Sequence, residues 1–98
     1  MKTFFDGIFI DCSKHEEIEY PIKLEYYTIE TEENVEAKYG IEIVKTEFID
    51  GTVKVESKKM ENITDSKEKI KKILTILKNN EVTPIGMQDV LNDMFIRI

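Results

Sequence analysis

Residues 39–55, YGIEIVKTEFIDGTVKV, decide the fold, because they contain the strongest turn signal in the chain. Asp50-Gly51 is a dipeptide that two-residue hairpin turns favour, since both central residues of such a turn need a positive φ. Residues typical of strands flank this dipeptide on both sides. Ile41 and Ile43 alternate with other residues in the period-two pattern of a half-buried strand. The stretch therefore predicts an antiparallel β-hairpin.

The residues before this hairpin extend the sheet. Ile22, Leu24 and Tyr26 alternate with polar or aromatic neighbours and predict another half-buried strand. Gly40 lies inside the strand that follows, where a glycine indicates a bulge or a bend. The predicted sheet is thus an antiparallel meander of three strands, to which the first residues of the chain can add a fourth.

Residues 1–19 leave two interpretations open. Phe4, Phe5 and Phe9 lie close together around Asp6-Gly7 in an otherwise acidic chain. They can belong to an edge strand or a short hairpin that packs on the sheet. They can also form an exposed docking segment, because large exposed apolar patches usually mark interfaces.

The hydrophobic period changes in the last third of the chain. The apolar positions there recur at the helical spacing i, i+3, i+4 and i+7: Ile70, Ile73, Leu74 and Leu77. Asp65 and Glu68 predict a capping box at the start of this helix, and Asn80 marks its end. Thr83 and Pro84 predict the start of a second helix, with Thr as the N-cap and Pro in the first helical position.

A sheet with one apolar face and two helices with one apolar stripe each must cover one another. We therefore predict a single α+β domain over residues 1–98, a length that fits one domain. Three or four antiparallel strands form a meander, largely within residues 20–60. A C-terminal helical hairpin within residues 64–98 packs on one face of that sheet.

The reactive side chains argue against an enzyme. Cys12 is the only cysteine and His15 the only histidine, so a nucleophile and its base would have to come from this pair. Glu16 and Glu17 oppose a thiolate there, because a neighbouring negative charge disfavours it. One Cys and one His are too few for a typical zinc cage, and no glycine-rich phosphate loop occurs. We expect no catalytic residue, no cofactor and no metal.

Charge is unevenly distributed along this chain of net charge −6. Residues 1–33 hold three Lys and nine Asp or Glu, whereas residues 54–78 hold eight Lys and four Asp or Glu. Lys67, Lys71 and Lys78 predict a basic stripe on the first helix, which is either a phosphate-binding surface or an ordinary solvated helix face. We do not expect nucleic acid as the partner, since the chain has a single Arg and Arg is the residue that reads bases bidentately.

Four short motifs follow one another along the chain: YGIEI at 39–43, NITD at 62–65, NEVTP at 80–84 and DVLND at 89–93. Their combination resembles a family of short uncharacterised clostridial proteins, over about residues 20–94. Residues 1–19 and the tail Phe95–Ile98 look individual to this chain. The resemblance implies a strand before a capped helix, a final helix led by VTP, and a bacterial cytosolic setting. It implies no catalytic residues.

These features predict a small acidic non-enzymatic protein that acts by binding another protein, in a regulatory role, with a homodimer as one form of such binding. The candidate interaction surface consists of apolar residues near the two termini: Phe4, Phe5, Phe9, Phe95, Ile96 and Ile98. The alternative is a nucleic-acid-associated accessory protein or a DNA-mimic inhibitor from a mobile element, which the acidic residues 1–33 suggest.

No apolar run approaches the ~20 residues that a membrane-spanning helix needs, so we expect no membrane partner. The first residues lack the pattern of a signal peptide, because Asp6 and Asp11 interrupt their apolar patch. The expected location is therefore the cytoplasm.

Overall fold

The computed structural model describes residues 1–11, 20–32 and 36–97, and the side chains of this part as far as Met94. Four strands form one antiparallel sheet in the order of the chain: β1 (Lys2–Ile10), β2 (Ile22–Glu30), β3 (Tyr39–Ile49) and β4 (Thr52–Thr64). Two helices follow them: α1 (Lys67–Asn79) and α2 (Met87–Arg97). The predicted α+β architecture, a meander followed by two helices that pack on it, is confirmed, and the meander has four strands.

The β3–β4 hairpin turns where the sequence predicts. Asp50 and Gly51 adopt φ values of 42° and 81°, as the two central residues of a type I′ turn do. Ile49 and Thr52 pair directly on either side of them. The turn fixes the register of the hairpin, and with it the face on which each side chain of β3 and β4 lies.

Gly40 lies at the predicted irregularity in β3. Tyr39 pairs with Thr64 and Ile41 pairs with Met60, so β4 carries extra residues opposite Gly40. A Cβ atom at position 40 would collide with the carbonyl oxygen of Met60, and this close backbone approach explains the glycine.

The first helix begins one residue later than its sequence predicts. Ser66 is the N-cap, and its hydroxyl accepts a hydrogen bond from the backbone N–H of Lys69 at 3.1 Å. The prediction of Asp65 as the cap was therefore wrong. A Ser hydroxyl caps a helix about as well as an Asp carboxylate, so composition alone does not choose between adjacent candidates.

The second helix also begins later than predicted. Thr83 accepts a hydrogen bond from the N–H of Gly86 at 3.1 Å through its carbonyl oxygen. This i to i+3 bond closes a separate tight turn over Pro84, and α2 starts only at Met87. The prediction that Pro84 occupies the first helical position was wrong, because the chain turns once more before the helix.

One core joins the sheet to both helices. Its fully buried side chains come from β2, β3, α1 and the start and middle of α2: Leu24, Tyr26, Ile41, Ile43, Ile70, Leu74, Leu77, Met87 and Leu91. Strand alternation sends the neighbouring residues of β2 and β3 to the opposite side of the sheet. We call that side the open face, because neither helix packs against it.

Candidate interaction surface

The open face carries a group of exposed apolar side chains. Phe9 pairs with Lys23 and Phe4 with Tyr27, so both share the face that points away from the buried Leu24 and Tyr26. The same strand alternation places Phe48 of β3, and Val53 and Val55 of β4, on this face. We call it the open-face patch, and each of its members exposes between 37% and 59% of its surface: Phe4, Phe9, Phe48, Val53 and Val55.

The patch reaches from one edge of the sheet to the other. The rings of Phe9 on β1 and Phe48 on β3 lie 6.3 Å apart, with 41° between their planes. Phe48 pairs with Val53 on β4. The ring of Phe4 meets Tyr27 edge-on, with centroids 5.6 Å apart. Aromatic contacts therefore hold these side chains in place while leaving much of their surface exposed.

Charged side chains on the open face are paired with one another. The ammonium of Lys2 lies 3.0 Å from a carboxylate oxygen of Glu42, and that of Lys23 lies 3.8 Å from Glu25. The hydroxyl of Tyr27 donates to Glu25 at 3.1 Å, and burial, followed by this carboxylate, raises the pKa of Tyr27. Lysines and glutamates are therefore paired around the patch, and these pairs leave no excess of positive or negative charge.

The predicted N-terminal candidates divide between the two faces of β1. The register of β1 on β2 shifts between Phe4 and Asp6, which is a β-bulge centred on Phe5. The bulge leaves Phe4 and Phe9 on the open face. Phe5 instead packs against the core on the helix side. Of the two interpretations left open for the first residues, the structure shows the edge strand. The side chains of β1 on the open face, Phe4 and Phe9, are exposed.

The predicted C-terminal candidates are placed only in part. Phe95 and Ile96 belong to α2, but their side chains lie outside the described part of the structure, and so does all of Ile98. Met87 and Leu91, earlier in the same helix, are fully buried.

Sequence reasoning missed three members of the patch, Phe48, Val53 and Val55. The signal for them was present. Once Ile41 and Ile43 are assigned to the core face, Val44 and every second residue after it in β3 lie on the open face, and Phe48 is one of them. The two-residue turn sets Val53 and Val55 of β4 directly opposite open-face residues of β3, so they lie on the same face.

The predicted basic stripe lies on the flank of α1 that faces β1. Lys67 and Lys71 border a groove of about 490 Å³, together with Phe5 of β1 and the buried Ile70. Lys78 lies at the C-terminal end of α1 and forms an ion pair with Asp6 of β1. The stripe is therefore a line of lysines beside an edge strand, with a shallow groove at one end.

Lys78 is neutralised by β1. Its ammonium lies 3.1 Å from a carboxylate oxygen of Asp6. The backbone N–H of Gly7 donates to the other Asp6 oxygen at 2.8 Å. These two contacts, the backbone one first, hold the pKa of Asp6 below its ordinary value. Lys78 thus links α1 to the sheet edge, and of the three lysines only Lys67 and Lys71 border the groove, which Glu30 also lines.

Cys12 and His15 lie outside the described residues, so their predicted lack of a catalytic role stays a prediction. Among residues 1–11, 20–32 and 36–97, no group of three or more His, Cys, Asp or Glu side chains is placed to hold a metal ion. Neither helix in this part of the chain is both long and apolar enough to cross a membrane.

Comparison with known families finds one family whose match includes the second half of β1, the strands β2 to β4 and both helices. A family model described as "Family of unknown function (DUF6514)" matches residues 7–97. The chain belongs to this family. The DUF6514 match begins within β1 and extends to Arg97, so the expectation that residues 1–19 and Phe95–Ile98 are individual to this chain was wrong for residues 7–19 and 95–97. Searches of curated proteins and of solved structures found no match.

Proposed function

We propose that this member of the DUF6514 family is a small non-enzymatic protein that binds another protein through its open-face patch. The observation that carries the proposal is the contrast between the two faces of one sheet. On one face the helices bury the apolar side chains of β2 and β3, whereas the other face leaves Phe9 and Val55 each 59% exposed. Exposed apolar side chains that share one face in this way, as Phe9, Phe48 and Val53 do, mark protein-binding surfaces.

The surroundings of the patch indicate the chemistry of the partner. Lys2 and Lys23 are already paired with Glu42 and Glu25, so the face offers no excess of one charge. The complementary surface is therefore apolar at its centre and polar with mixed charges at its rim. A phosphate backbone would need unpaired cations beside the patch, and a DNA mimic would need unpaired carboxylates. We accordingly favour a protein partner over either nucleic-acid alternative.

A regulatory role in the cytoplasm completes the proposal. A binding protein without catalytic groups acts by changing what its partner does. The cytoplasm is supported by the presence of a single cysteine, Cys12, which excludes a disulfide within the chain.

Substitution within the patch tests the proposal. Phe9→Asp places a charge beside Phe48, whereas Ile85→Asp makes the same kind of change at a residue that is 77% exposed in the α1–α2 connection. Tagged wild type and both variants are incubated with cytosol of the source organism, and retained proteins are quantified by mass spectrometry. We expect a protein held by wild type and Ile85→Asp to be lost from Phe9→Asp.

Circular dichroism of the variants separates lost binding from lost folding, and Val53→Asp repeats the test on β4. The proposal is wrong if folded Phe9→Asp and Val53→Asp retain the same proteins as Ile85→Asp. It is also wrong if wild type retains nothing above a tag-only control.

A further inference from the structure

The two edges of the sheet differ in regularity. β1 is interrupted by the bulge at Phe5 and carries Asp6 beside it. β4 pairs with β3 without a shift from Thr52 to Met60, so its outer edge is straight over the same length. Bulges and inward charges blunt an edge against pairing, whereas a long regular strand presents its free N–H and C=O groups in order. β4 is therefore the more regular edge, and because it carries Lys54, Lys58 and Lys59, a strand that pairs with it has to place opposite charge against its lysines.

The outward backbone groups of β4 can be assigned from its neighbours. The N–H of Phe48 donates to the carbonyl oxygen of Pro21 at 3.1 Å, on the β2 side of the sheet. Phe48 and its partner Val53 therefore form a pair without mutual hydrogen bonds, and the N–H and C=O of Val53 point away from β3. By alternation Val55 and Ser57 also direct their backbone groups outward.

The side chains of β4 favour a second copy of the same strand. A two-fold axis through Val55 places Val55 against its own copy and makes its outward hydrogen bonds reciprocal. Within one chain the ammonium of Lys54 lies 3.3 Å from a carboxylate oxygen of Glu56. The axis sets Lys54 of each copy opposite Glu56 of the other, so the two intrachain pairs join into one symmetric group of alternating charges. Lys54 and Lys58 are exposed on the helix side of the strand, so the helices do not cover this part of the edge.

Neighbouring registers are disfavoured by the same side chains. Moving the axis by one residue in one direction opposes Lys54 with its own copy, and in the other direction opposes Glu56 with its own copy. Moving it by two residues, to Ser57, keeps an opposite-charge pair, Glu56 with Lys58, but places Val55 opposite Lys59. Charge therefore disfavours the one-residue shifts, and the Val55–Val55 contact favours the register centred on Val55 over the one centred on Ser57.

We infer that two copies of this chain pair through β4, antiparallel about Val55, and join their four-stranded sheets into one continuous sheet. The inference goes beyond the proposed function, because it rests on the outward backbone groups of β4 and on the charges of Lys54 and Glu56, which the open-face patch does not include; Val53 and Val55 belong to both surfaces, whereas Phe9 belongs to the patch alone. The partner it names is a second copy of the chain. Pairing about a two-fold axis stops at the dimer, because the opposite edge, β1, is blunted.

Charge reversal tests the inference. In a dimer of Lys54→Glu, each cross-strand pair of residues 54 and 56 consists of two carboxylates. In a dimer of Glu56→Lys, each such pair consists of two ammonium groups. Sedimentation equilibrium is measured from about 10 µM to about 1 mM, a range that includes weak dimers. We expect wild type to dimerise and each single variant to dimerise about tenfold more weakly, since two attractive cross-strand pairs become repulsive.

Sedimentation equilibrium of an equimolar mixture of the two single variants decides whether residues 54 and 56 face each other across the dimer. In the mixed dimer every substituted residue faces an opposite charge, so association of the two folded variants returns to about the wild-type level, and circular dichroism of each variant shows that it is folded. Phe9→Asp, which alters the open-face patch alone, is expected to leave dimerisation unchanged. Wild type that stays monomeric at about 1 mM, or a mixture no stronger than its components, overturns the inference.

Cross-linking tests the register separately. In a Cys12→Ser background, Val55→Cys places two thiols across the axis at a separation that a disulfide can bridge. Ser57→Cys places its thiol opposite Val53 of the other copy and is expected to remain reduced under the same mild oxidant. Cross-linking of Ser57→Cys in preference to Val55→Cys would show that the axis lies elsewhere and overturn this arrangement.

Discussion

Tyr26 connects two parts of the molecule that are far apart in sequence. Its hydroxyl donates to the carbonyl oxygen of Val82 at 2.9 Å, and the whole side chain is buried between β2 and the α1–α2 connection. Burial raises the pKa of Tyr26, because the buried site disfavours the charged phenolate. Fixing Val82 in this way also fixes the point from which the chain enters α2.

Replacing Tyr26 by Phe removes only this hydroxyl. We expect the free energy of unfolding to fall by about 1–3 kcal/mol, because the Val82 carbonyl stays buried without its donor. Tyr27→Phe is the matched control, since its hydroxyl donates to Glu25 at the partly exposed open face. Its cost should stay within about 0.5 kcal/mol, as for most surface changes. Urea unfolding followed by circular dichroism measures both, and equal losses for the two variants would contradict this role for Tyr26.

Individual residues also show where prediction from sequence ends. The alternation of Leu24 with its neighbours was enough to assign the core face of β2. Phe4 and Phe5 could not be assigned to opposite faces in the same way, because a bulge changes the parity of a strand and depends on its partner strand. The Phe4–Asp6 shift arises only from pairing with β2.

Elements were predicted best where local chemistry fixes them. The type I′ turn needs two residues with positive φ, and Asp50-Gly51 is a rare combination that meets this need. Helix starts were predicted less well, because several neighbouring residues can cap a helix equally. Thr64, Asp65 and Ser66 all have suitable side chains, and only the packing of α1 on the sheet selects Ser66.

The two helices should both be necessary for stability. Leu74 of α1 and Leu91 of α2 are fully buried in the core. We expect Leu74→Ala and Leu91→Ala each to lower the free energy of unfolding by about 2–5 kcal/mol, a large part of the ~5–15 kcal/mol of a typical domain.

Ile85→Ala is the control for both changes, because Ile85 is an exposed apolar residue of the connection between the helices. Urea midpoints by circular dichroism compare the three variants with wild type. If Leu91→Ala unfolds at the wild-type midpoint while Leu74→Ala does not, α2 does not pack as the structure shows.

The molecule as a whole has one sealed face and one open face. The core extends from Ile10 at the end of β1 to Leu91 in α2, and all of it lies between the sheet and the helices. The open-face patch has no such cover. The sequence indicated apolar surface near the N-terminus, but Phe48 and Val55 joined it only through the register of the whole sheet, which residues distant in sequence determine.

A single continuous core predicts that the sheet and the helices unfold together. Tyr26 and Tyr39 both belong to it, so near-ultraviolet circular dichroism reports on tertiary packing, while the far-ultraviolet signal reports on strands and helices. We expect the two signals to give the same midpoint in urea, as in a two-state transition. Leu91→Ala should move both midpoints equally, because it weakens the core that all elements share. A far-ultraviolet transition at higher urea than the near-ultraviolet one would instead mean that part of the sheet or a helix survives alone, and that residues 1–98 do not form one cooperative domain.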